Sequence, residues 1–356
     1  MKKFALYLPQ FHEFKENNDW WGEGFTEWKN VTEAKPLFTG HIQPKEPLNN
    51  NYYNLMDSET VKWQTKLANQ YGIDGFIYYH YYFQGKLLMN RPAENLLKMK
   101  EIKQNFFFCW ANHSWFKGKG KDRIQLIEQR YGDQKDWEAH FSYLLPFFKD
   151  DRYQKVNNKP MFMLYNANFS EKKELFDFFN QRCRDEGFDG LYLIETFSEE
   201  PTKDKIDKFT KCLSNQTETI YIREPNASTS VYYKKKPLKR LVDKLKREYK
   251  LPILKRTVPI IQGDSLYSIM LQYRFEETIT KKVAHGVFFE WDNTPRHKSN
   301  GYVITAVTKE VFSKYYHAIS DDEFIVINAW NEWAEGMMLE PTKTDGYKYL
   351  EWLKEE

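Results

Sequence analysis

The chain has 356 residues, 41% of them hydrophobic and 29% charged, with a formal net charge of +3. That composition excludes a disordered chain, and so small a net charge leaves no electrostatic footprint for nucleic acid. No apolar run approaches the ~18 residues of a transmembrane helix.

Short apolar runs recur along the chain, most of them separated by amphipathic stretches. The first, Phe4–Leu8, follows Lys2 and Lys3 and is closed by Pro9, Gln10 and His12. It is too short for the apolar region of a signal peptide and reads as a buried strand. Asp57 to Tyr71 predicts a helix with Asp57 as N-cap and Gly72 as its stop. Gly75–Tyr82 and Phe106–Ala111 are the next strands, then a helix over Trp137–Phe148 that Pro146 disturbs near its end. Met161–Tyr165 follows, then an amphipathic Leu175–Glu186, then the strand Leu191–Thr196. Thr219–Arg223 reads as a sixth strand and Val287–Trp291 as a seventh. Val303–Ile319 is helical in pattern, Phe324–Ala329 is the eighth strand, and Tyr347–Lys354 closes the chain as a helix.

Near-continuous apolar strands alternating with helices predict a parallel sheet covered on both faces. Eight of them in one chain predict an α/β fold, a single (β/α)8 TIM barrel spanning residues 1–356. Two ordinary domains would also fit the length. The polar region from about 198 to 285 is longer than a crossover needs and predicts an insertion in the second half. No glycine-rich dinucleotide or P-loop turn follows a strand, so no cofactor is expected.

One stretch, 234–250, is strongly basic: Lys234, Lys235, Lys236, Lys239, Arg240, Lys244, Lys246, Arg247 and Lys250 meet only Asp243 and Glu248. It reads as a solvated amphipathic helix with Leu238, Leu241, Val242 and Leu245 turned inward. The sharper reading is peripheral contact with anionic lipid headgroups or with a phosphate-linked saccharide. Cys109, Cys183 and Cys212 are odd in number and lack metal-ligand spacing, which suits reduced thiols in a cytoplasmic protein.

A TIM barrel places its chemistry at the carboxyl ends of its strands. Here those ends carry Gln10 and His12; Tyr79, His80 and Tyr81; Trp110, Asn112 and His113; Tyr165; Glu195; Trp291 and Asp292; and Asn331, Glu332, Trp333 and Glu335. Asn, His and Asp supply planar donors and acceptors for a hydroxyl-rich ligand, and Trp and Tyr supply stacking platforms. Aromatic residues make up 17% of the chain, and core packing accounts for most of them. Any one of these residues alone is more often structural; the coincidence across several strand ends carries the expectation.

Glu332 and Glu335 are three positions apart, so a helical turn there would put both on one face, with Cβ atoms about 5–6 Å apart. Retaining glycosidases hold their carboxyls about 5–5.5 Å apart and inverting ones about 6.5–9.5 Å apart. Such a pair can divide into an acid and a base when one member is more desolvated. Two acids at a helix start are the competing explanation. No metal site is expected: His80, His113 and His297 are scattered, and no Asp-x-Asp follows a strand.

Longer motifs run through the chain. They include Tyr7-Leu8-Pro9-Gln10-Phe11-His12, Gly24-Phe25-Thr26-Glu27-Trp28, Tyr78-Tyr79-His80-Tyr81, Trp110-Ala111-Asn112, Trp291-Asp292-Asn293-Thr294-Pro295-Arg296 and Trp330-Asn331-Glu332-Trp333-Ala334-Glu335-Gly336. Together they resemble the WbsX-like family of bacterial polysaccharide loci, a glycoside hydrolase family 99-like domain. The resemblance is dense in the first 115 and last 70 residues and thin between about 198 and 285. It implies a (β/α)8 barrel working in O-antigen or capsule metabolism on an oligosaccharide or polysaccharide, or on a lipid-linked form of one. It implies that Glu332 is the base acting on the substrate 2-hydroxyl and Glu335 the acid acting on the leaving oxygen. Substrate contacts are expected from Gln10, His12, Trp28, Tyr79, His80, Tyr81, Trp110, Asn112, His113, Tyr165, Trp291, Asp292, Asn331 and Trp333. The family's third-strand motif usually ends Trp-Ala-Asn-Glu; His113 replaces that acid here, and Phe116-Lys117-Gly118-Lys119 follows. A less acidic wall would suit an anionic sugar or a phosphate. Three activities stay open: a glycosidase or transglycosylase, a glycosyltransferase, and a non-catalytic glycan-binding barrel.

Overall fold

A computed structural model describes residues 1–118, 123–249, 258–273 and 279–356. Lys119, Lys250 and parts of the 198–285 segment lie outside the described residues, as do the side chains of Arg247 and Glu248. The eight principal strands are β1 (Lys2–Tyr7), β2 (Gly75–Phe83), β3 (Asn105–Trp110), β4 (Lys159–Leu164), β5 (Tyr192–Phe197), β6 (Thr217–Ile222), β7 (Lys282–Val287) and β8 (Phe324–Ile327). All pair in parallel in sequence order, and β1 pairs with both β8 and β2, so the sheet closes on itself. Phe4 is opposite Val326 on one side and Gly75 on the other.

Crossover helices surround the strands. They are α1 (Ser58–Gln70), α2 (Arg91–Lys98), α3 (Gln134–Phe148), α4 (Lys172–Asp185) and α5 (Lys203–Lys211), then three after β6, namely α6 (Asn226–Lys235), α7 (Pro237–Tyr249) and α8 (Gly263–Met270). They end with α9 (Lys309–Ala318) and α10 (Lys348–Glu355). Asp57 caps α1 by accepting from the Glu59 amide, as its position predicts. The architecture is a (β/α)8 barrel. Along β2 the side chains alternate. Tyr79 and Tyr81 point to the barrel mouth, while His80 points outward to α3, where its Nε2 lies 2.8 Å from that of His140.

Several expectations are corrected. The seventh strand is Lys282–Val287, not Val287–Trp291. Its mixed Lys-Val-Ala-His-Gly-Val pattern hid it behind the aromatic run that follows. Trp291–Asp292 instead joins Val303–Ile304 and Ile260–Ile261 in a small separate sheet, so the helix expected from Val303 starts only at Lys309. The 198–285 segment holds β6 itself, and its extra helices come after that strand. In α7 the apolar ridge is not inward: Leu238, Leu241 and Val242 are 79%, 54% and 40% exposed. The helix packs on α6 and touches the turn at Lys298–Asn300, and its buried residue is Asp243. That carboxylate accepts from Tyr233 Oη at 3.1 Å and pairs with Lys239 at 3.1 Å.

Candidate active site

A cavity of about 800 Å³ opens at the carboxyl end of the strands. Its walls include Gln10, Glu27, Tyr79, Tyr81, His113, Tyr165, Arg223, Arg296, Glu332 and Glu335. The loop after β1 contributes two short helices, Lys15–Trp21 and Glu27–Thr32, which bring in Trp21, Phe25 and Glu27. Trp115–Lys117 pairs with Ile124–Ile127 and supplies the adjoining rim, with Lys117 donating to the Trp20 carbonyl.

After β8 the chain forms a tight hairpin. Asn331–Glu332 pairs with Met337–Met338, and Trp333–Glu335 forms a single 3₁₀ turn between them. In a 3₁₀ turn side chains at i and i+3 eclipse, which aims Glu332 and Glu335 the same way. Gly336 closes the turn with φ +57°, where an added Cβ would sit 3.0 Å from Asp292. Both carboxyls reach one guanidinium. Arg296 Nη2 is 3.4 Å from Glu332 Oε2 and 3.1 Å from Glu27 Oε2, and Nη1 is ion-paired with Glu335 Oε1. Trp291 Nε1 donates to the other Glu335 oxygen at 3.1 Å.

This arrangement separates the two glutamates electrostatically. Burial pushes the Glu332 carboxyl well above the usual carboxylate range, the nearby Glu335 pushes it further, and Arg296 only partly opposes them. Burial and the Arg223 charge hold His113 down at about 4, so its ring is neutral near pH 7. That ring stacks on Tyr165 at 5.1 Å. Among the described residues no cluster of His, Cys, Asp and Glu is placed to hold a metal.

The structure gathers Gln10, Tyr79, Tyr81, His113, Tyr165, Glu332 and Glu335 in this cavity. Trp291 touches it only through Glu335. The other expected contacts lie outside its lining, with their polar groups mostly engaged elsewhere. Trp28 Nε1 donates to the Tyr53 carbonyl at 2.7 Å and Trp110 Nε1 to that of Tyr82 at 3.1 Å. Asn112 bridges to Asn166, and Asn331 bridges both Leu8 backbone groups and Tyr53. Asp292 accepts from His41, Gln43 and Thr294. Trp333 donates to the buried Glu340 at 2.6 Å. His12 is buried, and burial holds it at about 4 as the neutral ring. His80 is on the outer barrel face. Glu195, a strand end, is buried against Lys172 at 2.6 Å.

Sequence reasoning did not single out Glu27, Arg296 or Arg223 as site residues. Glu27 and Arg296 stood in quoted motifs, but only the fold brings them to the Glu pair. Arg223 directly follows β6, and the strand-end rule applied there would have found it.

The chain is thus a (β/α)8 barrel with two carboxyls paired at its mouth. Solved structures agree on the fold. A structure titled glycoside hydrolase-like protein superposes with a TM-score of 0.62 at 12% identity, covering 99% of this chain and 93% of that one. The GH99 endo-alpha-mannosidase from Bacteroides thetaiotaomicron gives 0.55 at 13% identity, covering 99% and 95%. The chain belongs to the family described as Glycosyltransferase WbsX, whose model matches residues 3–353. It is also 30% identical to the uncharacterized protein WxcX of Xanthomonas campestris pv. campestris (strain B100) over 98% of its own length. A second strain, ATCC 33913, has a WxcX that matches equally. The chain spans 48% of those relatives.

Proposed function

We propose that this chain cleaves or transfers glycosidic bonds of a bacterial surface polysaccharide, O-antigen or capsule, or of a lipid-linked precursor, with Glu332 and Glu335 as the reacting carboxyls. One observation carries the reading: both carboxyls converge on Arg296 inside the cavity at the barrel mouth. In the roles the resemblance implies, Glu332 takes the proton of the substrate 2-hydroxyl as that oxygen attacks the anomeric carbon. Glu335 gives its proton to the departing glycosidic oxygen. It then takes a proton from water, or from an acceptor hydroxyl, as that oxygen bonds to the anomeric carbon and breaks its link to the 2-oxygen, to which Glu332 returns the proton.

Burial favours a protonated Glu332 in the resting site, whereas the base role needs it ionised. Productive binding therefore draws the Arg296 guanidinium, already within 3.4 Å, toward Glu332 and favours its ionised form. A carboxylate with a raised pKa is also a stronger base once ionised.

The family description favours a second reading, transfer from an activated sugar donor. Incubation with α-linked oligosaccharides, and separately with nucleotide sugars plus lipid-linked acceptors, tests the two. Free or re-linked sugar without nucleotide release supports the first, and acceptor extension with nucleotide release the second. Binding without turnover of either kind would leave a glycan-binding barrel. Cys109, Cys183 and Cys212 form no disulfide, which favours a cytoplasmic place of action. The exposed ridge of α7 among lysines favours contact with an anionic membrane surface. Among the described residues no helix is long and apolar enough to cross a membrane.

A further inference from the structure

We propose that Arg223 is the receptor for an anionic substituent, a carboxylate or a phosphate ester, on the glycan that occupies the cavity. The proposal rests on the reading of this cavity as the glycan site.

Four observations point to it. Arg223 lines the cavity at the end of β6. Its buried Nε–H has no hydrogen-bond acceptor. The guanidinium lies 4.1 Å over the Tyr165 ring, which holds it flat against the wall. Its surroundings are the phenols Tyr79, Tyr165 and Tyr221, with Tyr165 hydrogen-bonded to it; among the described residues no carboxylate is salt-bridged to it, and its charge reaches Glu332 only at longer range. Arg296, on the facing wall, is the reverse case, because three carboxylates already occupy it. The rim cation Lys117 is also engaged, donating to the Trp20 carbonyl at 2.6 Å.

Arg223 is half-buried, and a guanidinium whose buried Nε–H lacks an acceptor keeps a donor that an anionic ligand can satisfy. The guanidinium fork matches a carboxylate or phosphate through two parallel N–H donors. His113 lines the same cavity and brings no carboxylate that would repel such a group or pair with Arg223. Its ring stays neutral near pH 7. The hydroxyls of Tyr79 and Tyr165, on the same wall, suit the sugar's own oxygens.

The test is equilibrium binding, followed by saturation-transfer NMR titration, of methyl β-D-glucuronide, methyl glucoside 6-phosphate and methyl β-D-glucoside. The full chain, R223Q and R223K are compared, with circular dichroism as the check on folding. An anionic probe is expected to bind the parent chain about 10- to 100-fold more tightly than the neutral one. R223Q abolishes the preference, and R223K restores part of it. The stronger of the two anionic probes separates carboxylate from phosphate. Equal binding of all three, no binding of any, or an unchanged preference in R223Q overturns the proposal. The Glu pair is scored separately by turnover. Lost preference with intact glutamate dependence leaves the proposed chemistry standing. Intact preference with fully active glutamate variants leaves Arg223 as a receptor in a site of other chemistry.

Discussion

Arg296 is ion-paired with Glu335 at the cavity wall, and the same guanidinium lies 3.4 Å from Glu332. The two glutamates are therefore one electrostatic unit, and neither can be replaced without changing the field on the other. Glu332→Gln and Glu335→Gln each keep the shape and remove the ionisable proton. Each is expected to lower turnover by about 10²–10⁴-fold, the range for losing a general acid or base. Both variants should fold, with the unfolding midpoint lowered more in Glu335→Gln, which breaks the ion pair with Arg296. Product release from the cognate glycan, followed by chromatography, is the measurement; full activity in both variants ends the mechanism.

Arg296 is itself a positioning residue. Glu27, Glu332 and Glu335 all face it, with side-chain exposures of 4%, 11% and 21%. Arg296→Gln leaves three carboxyls crowded without a cation, and breaking a buried pair costs about 3–5 kcal/mol. The guanidinium is 28% exposed, so the lower end, ~3 kcal/mol, is expected. The sign with pH follows from the carboxyls. Arg296 is the charge that opposes the burial of Glu332, so its loss raises that carboxyl's folded pKa further above the unfolded one, and the variant goes on losing stability at a pH where the parent has stopped. The deficit relative to the parent should therefore grow from about pH 7 to pH 9 in urea titrations. A deficit independent of pH would assign the loss to packing instead.

The barrel was legible because its strands are fully buried and apolar, so composition and spacing alone marked most of them. β7 was displaced because its pattern mixes Lys282 and His285 with small residues, and the aromatic run beyond it gave the stronger signal. The Glu pair was legible from spacing and from its place after the last strand. Individual contacts were less so, because strand-end composition does not say which face a side chain takes. His80, one residue from Tyr79 and Tyr81, shows the reason: a period of two sends it to α3 and its neighbours to the cavity. Glu27 and Arg296 meet only through the fold, across 269 positions of sequence, and no local pattern could announce that.

Glu224 gives a pH signature separate from catalysis. It is buried beside the sixth strand end and accepts from the Ser228 amide at 3.0 Å and from the Ser228 hydroxyl. Burial pushes its pKa up to about 8. The native state then keeps a proton that the unfolded chain releases from about pH 4.3 upward. Stability therefore falls as pH rises through that window. The buried histidines oppose this only below about 6.5, where unfolded imidazoles gain protons. Between pH 6.5 and 8, Glu224 is expected to contribute a loss of ~2 kcal/mol, at about 1.4 kcal/mol per unit. Glu224→Gln should flatten that slope in denaturant midpoints at pH 6.5, 7.5 and 8.5. Parallel slopes for parent and variant would sink the assignment.

The last expectation concerns α7, where an amphipathic helix turns its apolar side to solvent. Leu238, Leu241 and Val242 follow helical spacing i, i+3, i+4 and form one ridge. Exposed basic side chains flank them, among them Lys236 and Arg240. Burying one such apolar side chain contributes about 1.5–3 kcal/mol, and each basic residue near an anionic surface about 1 kcal/mol. Both terms act together only on a surface that is apolar beneath and negative above, which describes an anionic bilayer better than a protein groove. The chain should therefore co-sediment with phosphatidylglycerol vesicles and not with phosphatidylcholine ones, and added salt should weaken the binding. Replacing Leu238, Leu241 and Val242 together with serine should lower vesicle affinity at least about tenfold, because the ridge supplies the apolar half of the energy. The variant should keep its fold and its turnover, since the ridge packs against nothing in the barrel. Vesicle binding that ignores lipid charge, or that survives the triple substitution, would remove the membrane from the account and leave α7 as a solvated helix.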